Sequence, residues 1–214
     1  MTTLPLSPDE LLTTTRTVRK RLDLTRPVPI DLVRESIEVA LQAPSGSNKQ
    51  GWHWLIVTDP AQRAAIGHLY QEVGELYFAS GGSAAGQFTD DPARAKVQQR
   101  VGDSARWLAE HIAEVPVLVI PCIEAASLPA GNQAGLWGSL LPAAWSYCLA
   151  ARARGLGTAW TSFTLAREPQ LAEILGLPDN VRHGVLLPTA YYTGETFKPA
   201  ARQPVDDVLH LDRW

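Results

Sequence analysis

The residues able to do chemistry gather in two short stretches. The first is basic: Arg16, Arg19, Lys20 and Arg21 stand together, with Arg26 close behind. Such a cluster has a plain reading, a solvated helix end whose cations complement the C-terminal dipole. It also has a chemical reading. Guanidinium forks match phosphate oxygens in pairs, and Arg16 and Arg19, three apart, share a face if the helix continues. The second stretch is Ala43-Pro44-Ser45-Gly46-Ser47-Asn48-Lys49-Gln50-Gly51-Trp52. Pro, Ser, Gly and Asn are turn formers, so it reads as a helix-to-strand turn. It also sets amides and hydroxyls immediately before a core strand. A planar heterocycle with donors and acceptors on its edge needs such groups on a short, rigid loop.

Other chemistries find little support. Gly155-Leu156-Gly157-Thr158-Ala159-Trp160 lacks the third glycine of a dinucleotide fingerprint and follows a helix instead of a strand. Its glycines are expected to end that helix and let the backbone pass close to a neighbour or ligand. There is no Gly-x-Ser-x-Gly elbow and no His-Glu-x-x-His pair, and His53, His68, His111, His183 and His210 are scattered. Cys122 and Cys148 lie in apolar segments and read as small buried hydrophobes, too few for a disulfide framework or a zinc site. Nineteen Lys+Arg against 22 Asp+Glu give a formal charge of −3, and no aromatic residue interleaves with the arginines. Nucleic acid is therefore not an expected partner. No apolar run approaches the ~20 residues that span a bilayer, so no membrane is expected either. Met1-Thr2-Thr3-Leu4-Pro5 has no basic segment leading into an apolar one, so no export signal is read and a reducing cytoplasm is the expected setting.

The elements that must position these residues follow from caps and periodicity. With 214 residues, 45% hydrophobic and 19% charged, the chain suits one globular core over residues 1–214. Ser7-Pro8-Asp9-Glu10 has the order of a capping box and opens a helix ending near Arg16. Val33, Ile37, Ala40 and Leu41 share a face of a second helix, Ile30 to Gln42, stopped by Pro44. Trp52 to Thr58 reads as a strand. Asp59-Pro60 begins a helix that fades into the glycine cluster Gly81-Gly82…Gly86. Asp91-Pro92 begins another, with an apolar stripe Val97, Val101, Ala105, Leu108 and Ile112. Val115 to Ile123 reads as a strand buried on both faces. Gln133 to Arg154 is apolar nearly all round, as in a core or subunit-interface helix, and Pro142 is expected to kink or restart it. Gly157 to Phe163, a short helix Glu168 to Leu175, and Gly184 to Thr193 complete the pattern. The Pro-containing remainder to Trp214 has the look of a tail that docks. The class is α+β, with three or four non-adjacent strands among longer helices.

Taken in order, these pieces resemble the nitroreductase family of FMN flavoproteins. Thr15-Arg16-Thr17-Val18-Arg19-Lys20-Arg21-Leu22-Asp23 followed by Arg26-Pro27-Val28-Pro29 resembles the family's opening segment. Ala43-Pro44-Ser45-Gly46-Ser47-Asn48-Lys49-Gln50, then Trp52, is similar to its flavin-edge loop. Gly155-Leu156-Gly157-Thr158-Ala159-Trp160 resembles its late turn, and Lys198-Pro199-Ala200-Ala201-Arg202-Gln203-Pro204 its closing basic segment. Gly51 stands where the family usually has proline, and Arg21-Leu22 where an aromatic is common.

The resemblance implies a mixed sheet flanked by helices, in an intertwined homodimer with FMN sites at the interface. It implies Arg16 and Arg202 on the FMN phosphate, Arg19 near the N1–O2 edge, and Thr17 assisting. Pro44, Ser45, Gly46 and Asn48 would come from the neighbouring subunit's loop or its equivalent, and Ser162-Phe163-Thr164-Leu165 would approach N5, with Thr164 and Leu165 the assigned contacts. The implied reaction is ping-pong: hydride passes from NADH or NADPH to N5, then to a nitroaromatic, quinone or similar electrophile. A guanidinium at N1–O2 favours the reduced, negatively charged ring, and several cations offset the desolvation of a phosphate of about −2. An oxygen-dependent dehydrogenase, a flavin-cleaving enzyme or a non-catalytic flavin carrier are the alternatives on this scaffold. The walls above the flavin are expected from the segment Gly67 to Asp103.

Overall fold

Residues 3–80 and 83–214 are described by the computed structural model. Met1, Thr2 and the Gly81-Gly82 pair lie outside the described residues. Capping chemistry sets the helix starts. The Ser7 hydroxyl accepts from the Glu10 amide at 3.2 Å, and Glu10 Oε2 accepts from the Ser7 amide at 2.8 Å. This closes the capping box that opens α1 (Pro8–Thr14). The Asp59 carboxylate accepts from the Gln62 amide at the start of α3 (Pro60–Ala79), and that of Asp91 from the Ala93 and Arg94 amides at the start of α4 (Pro92–His111), each with proline at the first turn. Between α1 and α3 come α2 (Ile30–Ala40) and β1 (Trp52–Val57).

Strand β2 (Val117–Glu124) is buried on both faces except at Glu124, as its unbroken apolar run requires. Helix α5 (Ala134–Ala153) follows, then β3 (Leu156–Thr158), α6 (Glu168–Leu175), β4 (Val181–His183) and β5 (Leu187–Tyr191). The sheet order is β1-β2-β5-β3, with β4 also on β2, and these strand pairs are all antiparallel. A parallel bridge, Thr17 to Thr158, ties the arginine segment to the β3 edge and makes the sheet mixed. The fold is the α+β arrangement expected.

Three details depart from the sequence reading. The strand expected over Gly184 to Thr193 is β5, Leu187–Tyr191, and a further short strand, β4, precedes it at Val181–His183, which the sequence reading did not place. β2 pairs Cys122 with His183 but Val119 with Leu187, so the register slips by one residue between them. The slip falls between Gly184, whose amide still donates to the Pro121 carbonyl, and Leu187; at Gly184 itself a Cβ would come within 2.5 Å of Leu140 Cδ2. Pro142 does not restart α5, which runs through it as one helix. A proline there has no amide to donate to the Gly138 carbonyl four residues earlier, and the space where a Gly138 Cβ would stand is open. The tail docks on its own protomer only at its start, where Phe197 packs against the core and the Lys198 carbonyl accepts from Arg16; residues 201–214 are all exposed.

The core forms two layers against the sheet. One joins Ile66, Leu69, Leu108, Ile112 and Leu171 to Leu118 and Ile120; the other joins Val33, Ala144, Tyr147 and Ala151 to Val117, Val119 and Leu187. The stripe of α4 is buried only at its C-terminal end: Leu108 and Ile112 are inaccessible, whereas Val97 is exposed.

Candidate functional site

The arginine segment is extended, not helical, because α1 ends at Thr14. It is pinned at both ends: the Val18 amide donates to the Thr158 carbonyl at 2.8 Å, and the Asp23 amide to the Tyr191 carbonyl at 2.8 Å. Arg16 and Thr17 are exposed and Arg19 is half-buried. Arg16 Nη1 donates to the Lys198 carbonyl at 2.9 Å, which brings the tail to the arginine segment. Arg202 is exposed, and its Nη1 reaches the neighbouring Ala201 carbonyl at 3.0 Å. Thus the structure joins Arg16 to the tail, while Arg202 makes no contact with Arg16. Among the described residues none of these three arginines has a carboxylate partner; the arginine ion pairs are Arg34–Glu38, Arg154–Glu35 and Arg182–Glu168.

Arg19 Nη1 donates to Ser104 Oγ at 3.1 Å. Burial lowers its pKa, partly offset by the nearby Tyr70 and Tyr77 hydroxyls, and the group stays charged. It lines a cavity of about 150 Å³ with Tyr70, Tyr77, Trp160, Ser162 and Phe163, enough for one benzene-sized ring. Phe163 lies 4.9 Å from Tyr70 and 5.1 Å from Tyr77, centroid to centroid. Burial pushes the Tyr70 hydroxyl up to about 12, against the lowering effect of its hydrogen bond with Thr161 and of Arg19, so it remains a neutral donor. The cavity therefore offers one unpaired cation and aromatic walls.

Sequence reading missed Tyr70, Tyr77 and Ser104 as individuals, although it placed the wall in residues 67–103. The available signal was spacing: Tyr70 and Tyr77, seven apart, share one face of α3. Of the stretch expected to approach N5, Ser162 and Phe163 line this cavity. Within that same stretch Thr164 is fully buried with its hydroxyl unpartnered, and Leu165 is exposed.

The loop before β1 is held in a strained shape. Ser47, Asn48 and Gln50 have φ of +53°, +52° and +52°, a region costly for side-chain-bearing residues. Ser139 of α5 holds it: its hydroxyl accepts from the Gly46 amide at 2.9 Å and its carbonyl from Trp52 Nε1 at 2.6 Å. The Ser45 hydroxyl accepts from the Gln50 amide at 3.1 Å, and Asn48 Oδ1 from Gln50 Nε2 at 2.9 Å, leaving the Asn48 NH₂ free to donate outward. Pro44, Gly46 and Asn48 are exposed and Ser45 is half-buried.

A larger groove of about 370 Å³ lies elsewhere, between Leu24, Thr25, Ile30, Thr58, Arg63 and Glu114. Its cation is already used: Arg63 donates to the carbonyls of Thr58, Ala113 and Val115. The smaller, aromatic cavity is the better site because its guanidinium keeps donors to spare.

The fold, a sheet with helices on both faces, is shared with known flavoproteins. A structure of oxidized iodotyrosine deiodinase bound to FMN and 3-iodo-L-tyrosine superposes with a TM-score of 0.70 at 20% identity, covering 96% of this chain and 99% of that one. The FMN and NADPH-dependent nitroreductase NfnB from sphigopyxis sp. strain HMH gives 0.71 at 20% identity, covering 98% and 100%. By sequence, iodotyrosine deiodinase 1 of Rattus norvegicus is 22% identical over 204 residues, 94% of this chain and 67% of that protein. The model of the nitroreductase family matches residues 12–191, and the chain belongs to that family.

Proposed function

We propose that this chain is an FMN-dependent oxidoreductase that draws on NADH or NADPH and reduces nitroaromatic, quinone or similar electrophilic acceptors. It would work as a homodimer of single domains with the sites at the interface. The observation that carries the reading is Arg19: a half-buried guanidinium without an acid partner, in the wall of an aromatic cavity, on the segment that Arg16 ties to the tail.

Bound FMN would supply two-electron chemistry at N5. The chain's residues do the rest. Arg16 and Arg202 bind the phosphate, and free guanidinium forks suit that task. Arg19 beside the N1–O2 edge stabilises negative charge there and so favours the reduced cofactor. Thr17, Pro44, Ser45, Gly46 and Asn48 meet the ring edge and its substituents, with the spare Asn48 donors aimed at carbonyl oxygens. At the N5 side, buried Thr164 contributes through its backbone and exposed Leu165 by packing. Tyr70, Tyr77 and Phe163 orient a planar acceptor. Apolar side chains left exposed, among them Ile30, Val39, Leu41 and Trp145 with the tail's Leu209, Leu211 and Trp214, support a two-chain assembly. A protein of this kind would work in the cytoplasm, in solution.

A second reading, reductive dehalogenation of a halogenated phenol, is favoured by the deiodinase relative spanning nearly the whole chain. Anaerobic stopped-flow mixing of the FMN-loaded protein with NADH or NADPH tests the first reading. Bleaching of the flavin within seconds, then turnover with menadione or a nitrofuran, is the expected result. Iodide release from 3-iodotyrosine without quinone turnover favours the second. Tight FMN with no reduction overturns both and leaves a flavin carrier.

A further inference from the structure

Two guanidinium groups close on one aromatic ring where the tail leaves the sheet. Arg21 Nε donates to the Thr193 carbonyl at 2.7 Å and Nη1 to the Thr196 carbonyl at 3.1 Å. Its guanidinium carbon stands 4.2 Å from the centre of the Phe197 ring. Arg152, at the end of α5, is only 3% exposed. Its Nη1 donates to the Tyr192 hydroxyl at 2.6 Å, and its guanidinium carbon lies 5.1 Å from Phe197 and 5.2 Å from Tyr192. Tyr192 and Phe197 pack at 4.8 Å. Between them the backbone turns at Gly194, with φ +80°, where a Cβ would meet Arg21 Nη2 at 2.8 Å.

Neither arginine has a carboxylate partner among the described residues, and Arg152 Nε is buried with no partner at all. Burying a cation this way is costly, and ring faces and carbonyls are the compensation present. What the arrangement fixes is the run from 193 to 197. The next carbonyl, of Lys198, receives Arg16. Beyond it residues 201–214 are exposed, so Phe197 and Lys198 are the last anchored point before Arg202.

We propose that Arg21, Arg152 and Phe197 form a clamp that positions Arg202 for the cofactor's phosphate and thereby makes the chain prefer FMN over riboflavin. The proposal rests on the FMN reading above, and the three are positioning residues. With the clamp closed and Lys198 held, about four residues tether Arg202; with the clamp open and the single exposed Arg16–Lys198 bond lost with it, about ten do, counted from Tyr192. Effective concentration falls roughly as the −3/2 power of tether length, so release weakens the phosphate contact about fourfold.

The test titrates flavin-free wild type, Arg21→Ala, Arg21→Lys and Phe197→Ala with FMN and with riboflavin. In parallel, trypsin cleavage after Arg202 is followed by mass spectrometry with each flavin. Expected are a loss of FMN affinity of about fourfold or more in all three variants and unchanged riboflavin affinity. FMN should slow cleavage after Arg202 in the wild type and less so in the variants, and riboflavin should slow it in none. Arg21→Lys keeps the charge but not the two-carbonyl fork, so it should follow Arg21→Ala. If Arg21→Ala does not fold, Arg21→Lys and Phe197→Leu carry the comparison. Variants that keep the wild-type ratio of FMN to riboflavin affinity, or that weaken both flavins in proportion, overturn the clamp. Wild type that binds neither flavin, or both equally, overturns the FMN-phosphate reading, and the clamp with it.

Discussion

His183 makes the stability of this protein sensitive to acid in a way that can be isolated. Its ring is fully buried on β4, and neither Nδ1 nor Nε2 has a hydrogen-bond partner among the described residues. Burial pushes its pKa down from 6.5 to about 4 because the charged ring would leave water with nothing to replace it. The unfolded chain therefore takes up the proton first. Above pH 6.5 the ring is neutral in both states and costs nothing on this account. As pH falls, the unfolded state is favoured increasingly, by about 2 kcal/mol at pH 5 and about 3 kcal/mol once both states are protonated. His183→Leu removes the titrating ring and two unsatisfied nitrogens while keeping apolar volume. Urea unfolding of both proteins at pH 7.5 and pH 5, at one fixed protein concentration, reads the difference. At pH 7.5 the variant should match or exceed the wild type, and its advantage should grow by about 2 kcal/mol at pH 5. A difference that stays constant between the two values would mean that the ring is solvated or partnered, and the argument from burial would be wrong.

Ser139→Ala takes from the Gly46 amide its acceptor and should weaken FMN binding several-fold, with a thermal midpoint within about 2 °C of wild type; fluorescence titration and melting measure the two. Gly184→Ala forces a methyl against Leu140 Cδ2 and should cost about 1–3 kcal/mol in urea unfolding, reduced when combined with Leu140→Ala. Cys122 and Cys148 are buried with thiols pushed up to about 12, so a thiol reagent at pH 8 should label neither in native protein and both in urea.

Signals carried by adjacent residues were legible. Ser7, Asp59 and Asp91 each stand just before a proline, and cap and first turn lie within four residues, so the helix starts could be read directly. Glu168 to Leu175 ended where Gly176 takes φ +64°. The doubly buried β2 announced itself by composition alone. The break between β4 and β5 could not be read, because it lies in a one-residue change of register against β2, more than sixty residues earlier in the chain. The same holds for Tyr70 and Tyr77, whose periodicity fitted an ordinary core helix and whose role appears only when Phe163 and Arg19 arrive from elsewhere.

The arginines show where sequence reading of a site reaches its limit. Arg16, Arg19 and Arg21 look alike in a string of basic residues, and a solvated helix end is a fair account of all three. In space they do different things. Arg16 reaches the tail's backbone, Arg19 faces an aromatic cavity, and Arg21 stacks on Phe197 while spending two donors on carbonyls. Arg34 and Arg154 instead meet Glu38 and Glu35. The distinction lies in what each guanidinium's donors meet, and that depends on contacts such as Arg16 to Lys198, 182 residues apart. Arg21 and Arg152, equally without acids among the described residues, are spent on carbonyls, a hydroxyl and ring faces. Arg19 instead keeps donors in the wall of a cavity, where a guanidinium can meet a charge from outside the chain.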